Sequence, residues 1–202
     1  MTMQRLALAL AMLVALPAQA AAEQMVVDVL RLSQLLPEAT LSKVREKPKT
    51  FAAEAADVIL SFGAAGAINA EGLATSVVSD RARIRAREID RFLPADLDAD
   101  WVMTRAEVDG LIGRSAEGSR GPLRVAFLEA DVNADGTVDR SELEAHALAV
   151  ALARVTEDEA AERLALMAFD LDGDGTVSVD ELVAGVAALT GAARRHRDAA
   201  LP

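Results

Sequence analysis

The sequence predicts an all-α fold of four helix-loop-helix units in two pairs, and three features predict it. A loop recurs along the chain, an apolar residue holds the same place in each recurrence, and apolar stripes of helical period flank it. The loop around Gly136-Thr137-Val138 returns at Gly175-Thr176-Val177. Upstream, Asp96-Leu97-Asp98-Ala99-Asp100-Trp101-Val102-Met103 is a worn copy, and Gly66-Ala67-Ile68-Asn69 a fainter one that has lost its carboxylates. Ile68, Met103, Val138 and Val177 therefore mark one place in each unit, at steps of roughly 35 to 39 residues. The only β structure expected is brief pairing between loops.

Taken in order, the chain opens on Arg5, the apolar run Leu6 to Leu16, Pro17 and the small-residue pattern Ala18-Gln19-Ala20. That pattern predicts a signal peptide over residues 1–20 with cleavage after Ala20, hence export to a periplasm or outside the cell. The run is too short to span a bilayer, so no stable membrane insertion is expected after cleavage. Heavy use of Ala, and of Arg over Lys, suits a GC-rich bacterial genome and so a periplasm. There is no cysteine, so neither a disulfide framework nor a lipid-attachment site is available.

Residues 21–49 form an N-terminal helical segment, broken at Pro37 and expected to pack on the first pair. Residues 50–113 form a degenerate pair. Within it Ala82, Ala86, Ile89 and Leu93 make one helix face, and the Arg-rich stretch from Arg81 to Arg91, laced by Glu88 and Asp90, makes a solvated one. Residues 114–191 form the second pair. Its helices are marked by Leu123, Phe127 and Ala130, then by Leu166 and Phe169. Pro122 suits a first helical turn, Thr156 with Glu159 makes a capping box, and Gly191 suits a helix end. Residues 192–202, with Arg194, Arg195, His196 and Arg197, lack an apolar stripe and read as a flexible tail.

Charge narrows the function. Asp and Glu number 32 against 21 Lys and Arg, a formal charge of −11 that disfavours nucleic acid and points to cations as partners. Much of the acidity is packed into the loops. In the third, Asp131, Asn133 and Asp135 stand at positions 1, 3 and 5 of a twelve-residue turn. Thr137 follows at position 7 with its carbonyl, Asp139 at 9, and Glu142 at 12, where it can chelate with both oxygens. Gly136 occupies position 6, where positive φ burdens other residues. The fourth repeats the scheme with Asp170, Asp172, Asp174, Gly175, Thr176, Ser178 and Glu181. A hard cation taking six to eight oxygens, namely Ca2+, needs this arrangement.

Both loops match D-x-[DN]-x-[DN]-G-x5-E, and the chain so resembles the EF-hand superfamily, in particular calmodulin-like proteins with four hands. The resemblance implies paired hands in which Val138 and Val177 face each other in a short antiparallel pairing that couples the two sites. Capping alone accounts for Asp139 with Glu142 and for Ser178 with Glu181, but not for the alternating oxygens before each glycine. The worn loop keeps Asp96, Asp98, Asp100 and Glu107, with Thr104 capping its exit helix. Trp101 stands in the glycine place, at a cost on the order of 1 to 2 kcal/mol, or roughly tenfold in affinity. From Ser61 to Gly72 the ligands are replaced by Gly63, Ala65 and Gly72, so that loop is expected to serve pairing only.

The expected function is calcium binding, as a buffering or calcium-stabilised exported protein. The alternative is a sensor that exposes an apolar groove to a protein target. After cleavage only Met25, Met103 and Met167 remain, few for an adaptable groove. Catalysis is not expected: the histidines are His146, on a helix and expected at its surface or partly buried, and His196 in the tail. Neither has a nucleophile pattern beside it.

Overall fold

Proline and capping residues divide the chain into helices, seen in a computed structural model that describes residues 29–199. The predicted signal peptide and its cleavage point lie outside the described residues. Helix α1 covers residues 29–35 and ends before Pro37, which is the N-cap of α2 (Glu38–Glu46). Pro48, with no amide hydrogen to lose, opens α3 (Pro48–Phe62). Strand β1 (Ala67–Ile68) leads to α4 (Ala70–Phe92), and β2 (Met103–Thr104) to α5 (Arg105–Arg114). Helix α6 (Glu117–Ala130) then enters the loop that carries β3 (Thr137–Val138), and α7 (Arg140–Arg154) leaves it. Helix α8 (Glu157–Leu164) tightens into a 3-10 turn over Ala165–Phe169, ahead of β4 (Val177–Ser178) and α9 (Val179–Ala199).

The all-α class and the two pairs of units are as the sequence predicts, but the partners are different. Strand β1 pairs with β4, Ile68 opposite Val177, and β2 pairs with β3, Met103 opposite Val138. Val138 and Val177 do not face each other. The chain accordingly divides into one unit running to Thr75 and resuming at Ala161, and a second from Ser76 to Ala160, in place of pairs at 50–113 and 114–191. Burial explains the choice. Ile59, Ile68 and Leu73 of the first helix-loop-helix share a core with Leu166, Phe169, Val177 and Leu182 of the fourth. Phe92, Met103, Val108 and Ile112 share another with Leu123, Phe127, Val138 and Leu143. A two-residue ladder contributes little beside such cores, each large side chain of which is worth about 1.5 to 3 kcal/mol when buried.

The N-terminal segment packs on the first and fourth helix-loop-helix segments, not on a first-and-second pair. Leu32, Leu36, Leu41 and Val44 are buried in their core, and α2 lies against both α3 and α9. Three local readings also change. Helix α6 starts five residues before Pro122, which sits inside it, forgoes the bond toward Gly118 and crowds that carbonyl. Helix α9 runs on through Gly191 to Ala199, since a glycine followed by Ala192 and Ala193 penalises a helix by only about 1 kcal/mol. The predicted tail thus begins as helix. Among the described residues no helix is long and apolar enough to cross a membrane.

One close approach fixes α9 on the fourth hand. A Cβ on Gly185 would stand 2.5 Å from Cδ1 of Phe169, a wholly buried ring, and 3.3 Å from Cδ1 of Leu32. Gly185→Ala is therefore expected to lower stability by about 1 to 2 kcal/mol in urea unfolding, although alanine favours an isolated helix by about 1 kcal/mol. A more stable variant would show that the ring gives way freely.

Candidate metal centres

Backbone geometry sorts the loops before any side chain is considered. In the third, Ala134 and Gly136 take φ of 58° and 85°, and in the fourth Gly173 and Gly175 take 79° and 87°. The worn loop copies this with Ala99 at 62° and Trp101 at 65°, so the tryptophan does occupy the strained glycine place. The first loop differs. Its left-handed residues are the adjacent Ala65 (53°) and Gly66 (84°), and Ala64 and Ala67 exchange backbone bonds of 2.8 and 3.1 Å. Two consecutive positive φ values belong to a tight hairpin turn, a shape that leaves no hollow for a cation.

In the third loop Asp131 turns inward to the backbone, Oδ1 accepting from the Asp135 amide at 3.1 Å and Oδ2 from that of Gly136 at 3.1 Å. Asn133 Oδ1 accepts from the Asp135 amide at 2.8 Å. The amide and hydroxyl of Thr137 donate to Asp135 Oδ1 at 2.8 and 2.7 Å. Asp139 caps α7, and Glu142 folds back to accept from the Asp139 amide at 3.2 Å and the Asn133 amide at 3.4 Å. Position 12 is thus already bent over the loop that it would close.

The fourth loop repeats these contacts. Asp170 accepts from Gly173 at 2.7 Å and Gly175 at 3.0 Å, Asp172 from Asp174 at 3.1 Å, and Asp174 from the amide and hydroxyl of Thr176 at 2.7 and 2.8 Å. Glu181 accepts from the Leu171 amide at 2.9 Å and from the amide and hydroxyl of Ser178 at 2.9 and 2.8 Å. Carboxylate oxygens of Asp170, Asp172 and Asp174 lie within 4.8 Å of one another, as do those of Asp96, Asp98 and Asp100. Asp170 is only 8% exposed. No salt bridge among the described residues ends on a ligand-position carboxylate of these loops. A donor set of carboxylate, amide and carbonyl oxygens, with neither sulfur nor imidazole, fits a hard divalent ion and not a soft one.

Hydrogen bonding keeps these groups charged. Thr137, chiefly through its hydroxyl and then its amide, holds Asp135 below the usual carboxylate value, with help from Asn133. Burial pushes Glu181 upward, but the bonds from Ser178, Leu171 and Asp172 together outweigh it and leave the group lowered. Glu107 is lowered by the Thr104 hydroxyl first, then by the amides of Thr104 and Leu97.

Four contacts go beyond what the sequence offered. The Arg140 guanidinium lies 5.0 Å from the centre of the Trp101 ring, and the Arg105 amide donates to the Gly136 carbonyl at 3.1 Å. The worn and third loops are thereby tied together. Arg81, read as part of a solvated face, donates twice to the Val155 carbonyl, at 3.0 and 2.9 Å, and also binds Glu157. It caps the end of α7. His146 is buried, not at the surface: its ring meets Phe92 edge-on at 6.1 Å, and its Nε2 has no partner among the described residues. Nothing in local spacing announces these long-range contacts.

Helix, oxygen-lined loop and helix, repeated and strand-paired, define a class of cation-binding helix-loop-helix proteins. The EF hand family model matches residues 123–147 and 163–186, so the two segments bearing the complete loops are similar to EF hands. Comparison with curated proteins finds no match.

Thr104→Ala is expected to raise the pH at which Glu107 titrates, by removing the largest cause of its lowered value. A lowered carboxyl stabilises the fold above its unfolded value and loses that effect as pH falls through the folded one. The variant should therefore be less stable than the parent at neutral pH, and the gap should narrow in strong acid to the pH-independent loss of the Thr104 cap on the Glu107 amide. Carboxyl-detected NMR titration and urea unfolding at both pH values check this, and an unmoved Glu107 titration would refute it.

Proposed function

We propose that the chain binds two calcium ions and works as an exported calcium buffer or calcium-stabilised protein. One ion would be held by Asp131, Asn133, Asp135, Thr137, Asp139 and Glu142, the other by Asp170, Asp172, Asp174, Thr176, Ser178 and Glu181. The observation that carries this is the convergence of three carboxylates within 4.8 Å at the fourth loop, on none of which a salt bridge among the described residues ends. Like charges so placed repel unless a cation or bulk water intervenes. Export rests on the N-terminal pattern of Arg5, Leu6 to Leu16 and Ala18-Gln19-Ala20.

Buffering is favoured over switching in the unit that holds the fourth hand. Its apolar face is covered by Leu32, Leu36, Leu41 and Val44, so a target helix would first have to displace the chain's own. A specific observation favours the sensor reading for the other unit, where Val125, Leu128, Leu148 and Leu152 stand 43 to 56% exposed. Catalysis forms no part of the proposal, since the loop carboxylates are committed to the ion.

Calorimetric titration of the mature chain is expected to give two equivalents, and Glu142→Gln and Glu181→Gln are each expected to remove one. Calcium at a hundredfold excess over its dissociation constant should add about 2.7 kcal/mol per site to stability. No uptake at millimolar calcium, with identical melting in chelator, would end the proposal. Strong calcium-induced brightening of ANS would move it from buffer to sensor.

A further inference from the structure

The complete loops follow one another in the chain, yet neither strand pairs with the other: β3 ladders with β2, and β4 with β1. The strand partner of the fourth loop carries no carboxylate between Phe62 and Asn69, and its turn is the closed hairpin of Ala65 and Gly66. Filling the Asp170 site can pass along that ladder only to a loop with nothing to bind. The third loop has a different neighbour. Val138 lies opposite Met103, Gly136 accepts from Arg105, and Arg140 sits on Trp101. Arg140 opens α7 two residues before Glu142, so even the small adjustment Glu142 makes to an ion falls on the turn whose guanidinium sits on Trp101.

Resting on the calcium-binding proposal, we infer that the two complete sites fill independently, and that the sole tryptophan, Trp101, reports the Asp131 site and is silent to the Asp170 site. Energetic coupling needs a physical element that both sites bias. In hands paired in chain order the ladder between the complete loops is that element. Here the ladder joins each complete loop to an incomplete one, and the two complete loops fall in separate units.

The test titrates the full mature chain with calcium alone, read in parallel by tryptophan fluorescence and calorimetry. Glu181→Gln is expected to remove one calorimetric equivalent and leave the fluorescence midpoint within about twofold of the parent. Coupled sites shift one another by about 5- to 150-fold. Glu142→Gln is expected to diminish the fluorescence response and leave the midpoint of the Asp170 site in place. A midpoint shift of fivefold or more in either variant overturns the inference while leaving calcium binding intact, as does a full fluorescence response in Glu142→Gln. A parent that takes up no calcium removes both. Should Glu181→Gln lose its helical circular dichroism, Asp172→Asn takes its place, since it weakens the same loop and keeps the carboxylate that closes it.

Discussion

A helix-loop-helix unit cannot stand alone, because it leaves an apolar face and a strand edge uncovered, and another unit has to cover both. Everything else here follows from which unit does so. The first helix-loop-helix covers the fourth and the second covers the third, so residues 76–160 are enclosed in sequence by the parts of the other unit. Each unit then contains one complete loop and one incomplete loop. The loops without a full ligand set are not idle remnants. Ile68 and Met103 are both buried, and each supplies the strand against which a complete loop is held open.

How much of this the sequence disclosed depends on the range of the interaction. The oxygen-bearing loops from Asp131 to Glu142 and from Asp170 to Glu181, which the proposal gives to calcium, were legible as turns and caps, because their hydrogen bonds close at fixed short spacing. So was the strain at Trp101, since the place demands positive φ whatever residue occupies it. The four strand residues Ile68, Met103, Val138 and Val177 were recognised as equivalent, but equivalence hides partnership. Four apolar residues in two-residue strands carry no code for who meets whom. The choice was made by helix faces far apart in the chain, such as Leu182 against Ile59, and no local window contains both.

The same limit explains the misread helix ends. Pro122 and Gly191 are strong local signals, but each is worth a few kcal/mol at most, and neighbouring turns can outvote it. Residues 117–121 form a turn ahead of Pro122, and Ala192 and Ala193 carry α9 past Gly191. Capping boxes proved better guides. Thr104 with Glu107, Asp139 with Glu142 and Thr156 with Glu159 each start a helix where the pattern places one, because a cap is satisfied within four residues and needs no distant partner.

Two of those caps share residues with the loops, and the overlap bears on how an ion would be received. The glutamate at position 12 answers both to the helix, through the amide at position 9, and to the loop, through amides near its start. Its carboxylate is therefore held over the loop by bonds that belong to the fold itself. Asp131 and Asp170 are likewise held by loop amides, and Asp96 repeats the contacts, accepting from Asp100 at 3.1 Å and Trp101 at 3.2 Å. An arrangement shared by a loop with glycine at the turn and one with tryptophan there is imposed by the backbone and the cap. A cation entering such a loop meets oxygens already gathered, so little of its binding energy goes into reordering the chain, and little is left to drive a large opening of the helices. Preorganisation of this kind suits a protein that holds calcium better than one that is moved by it.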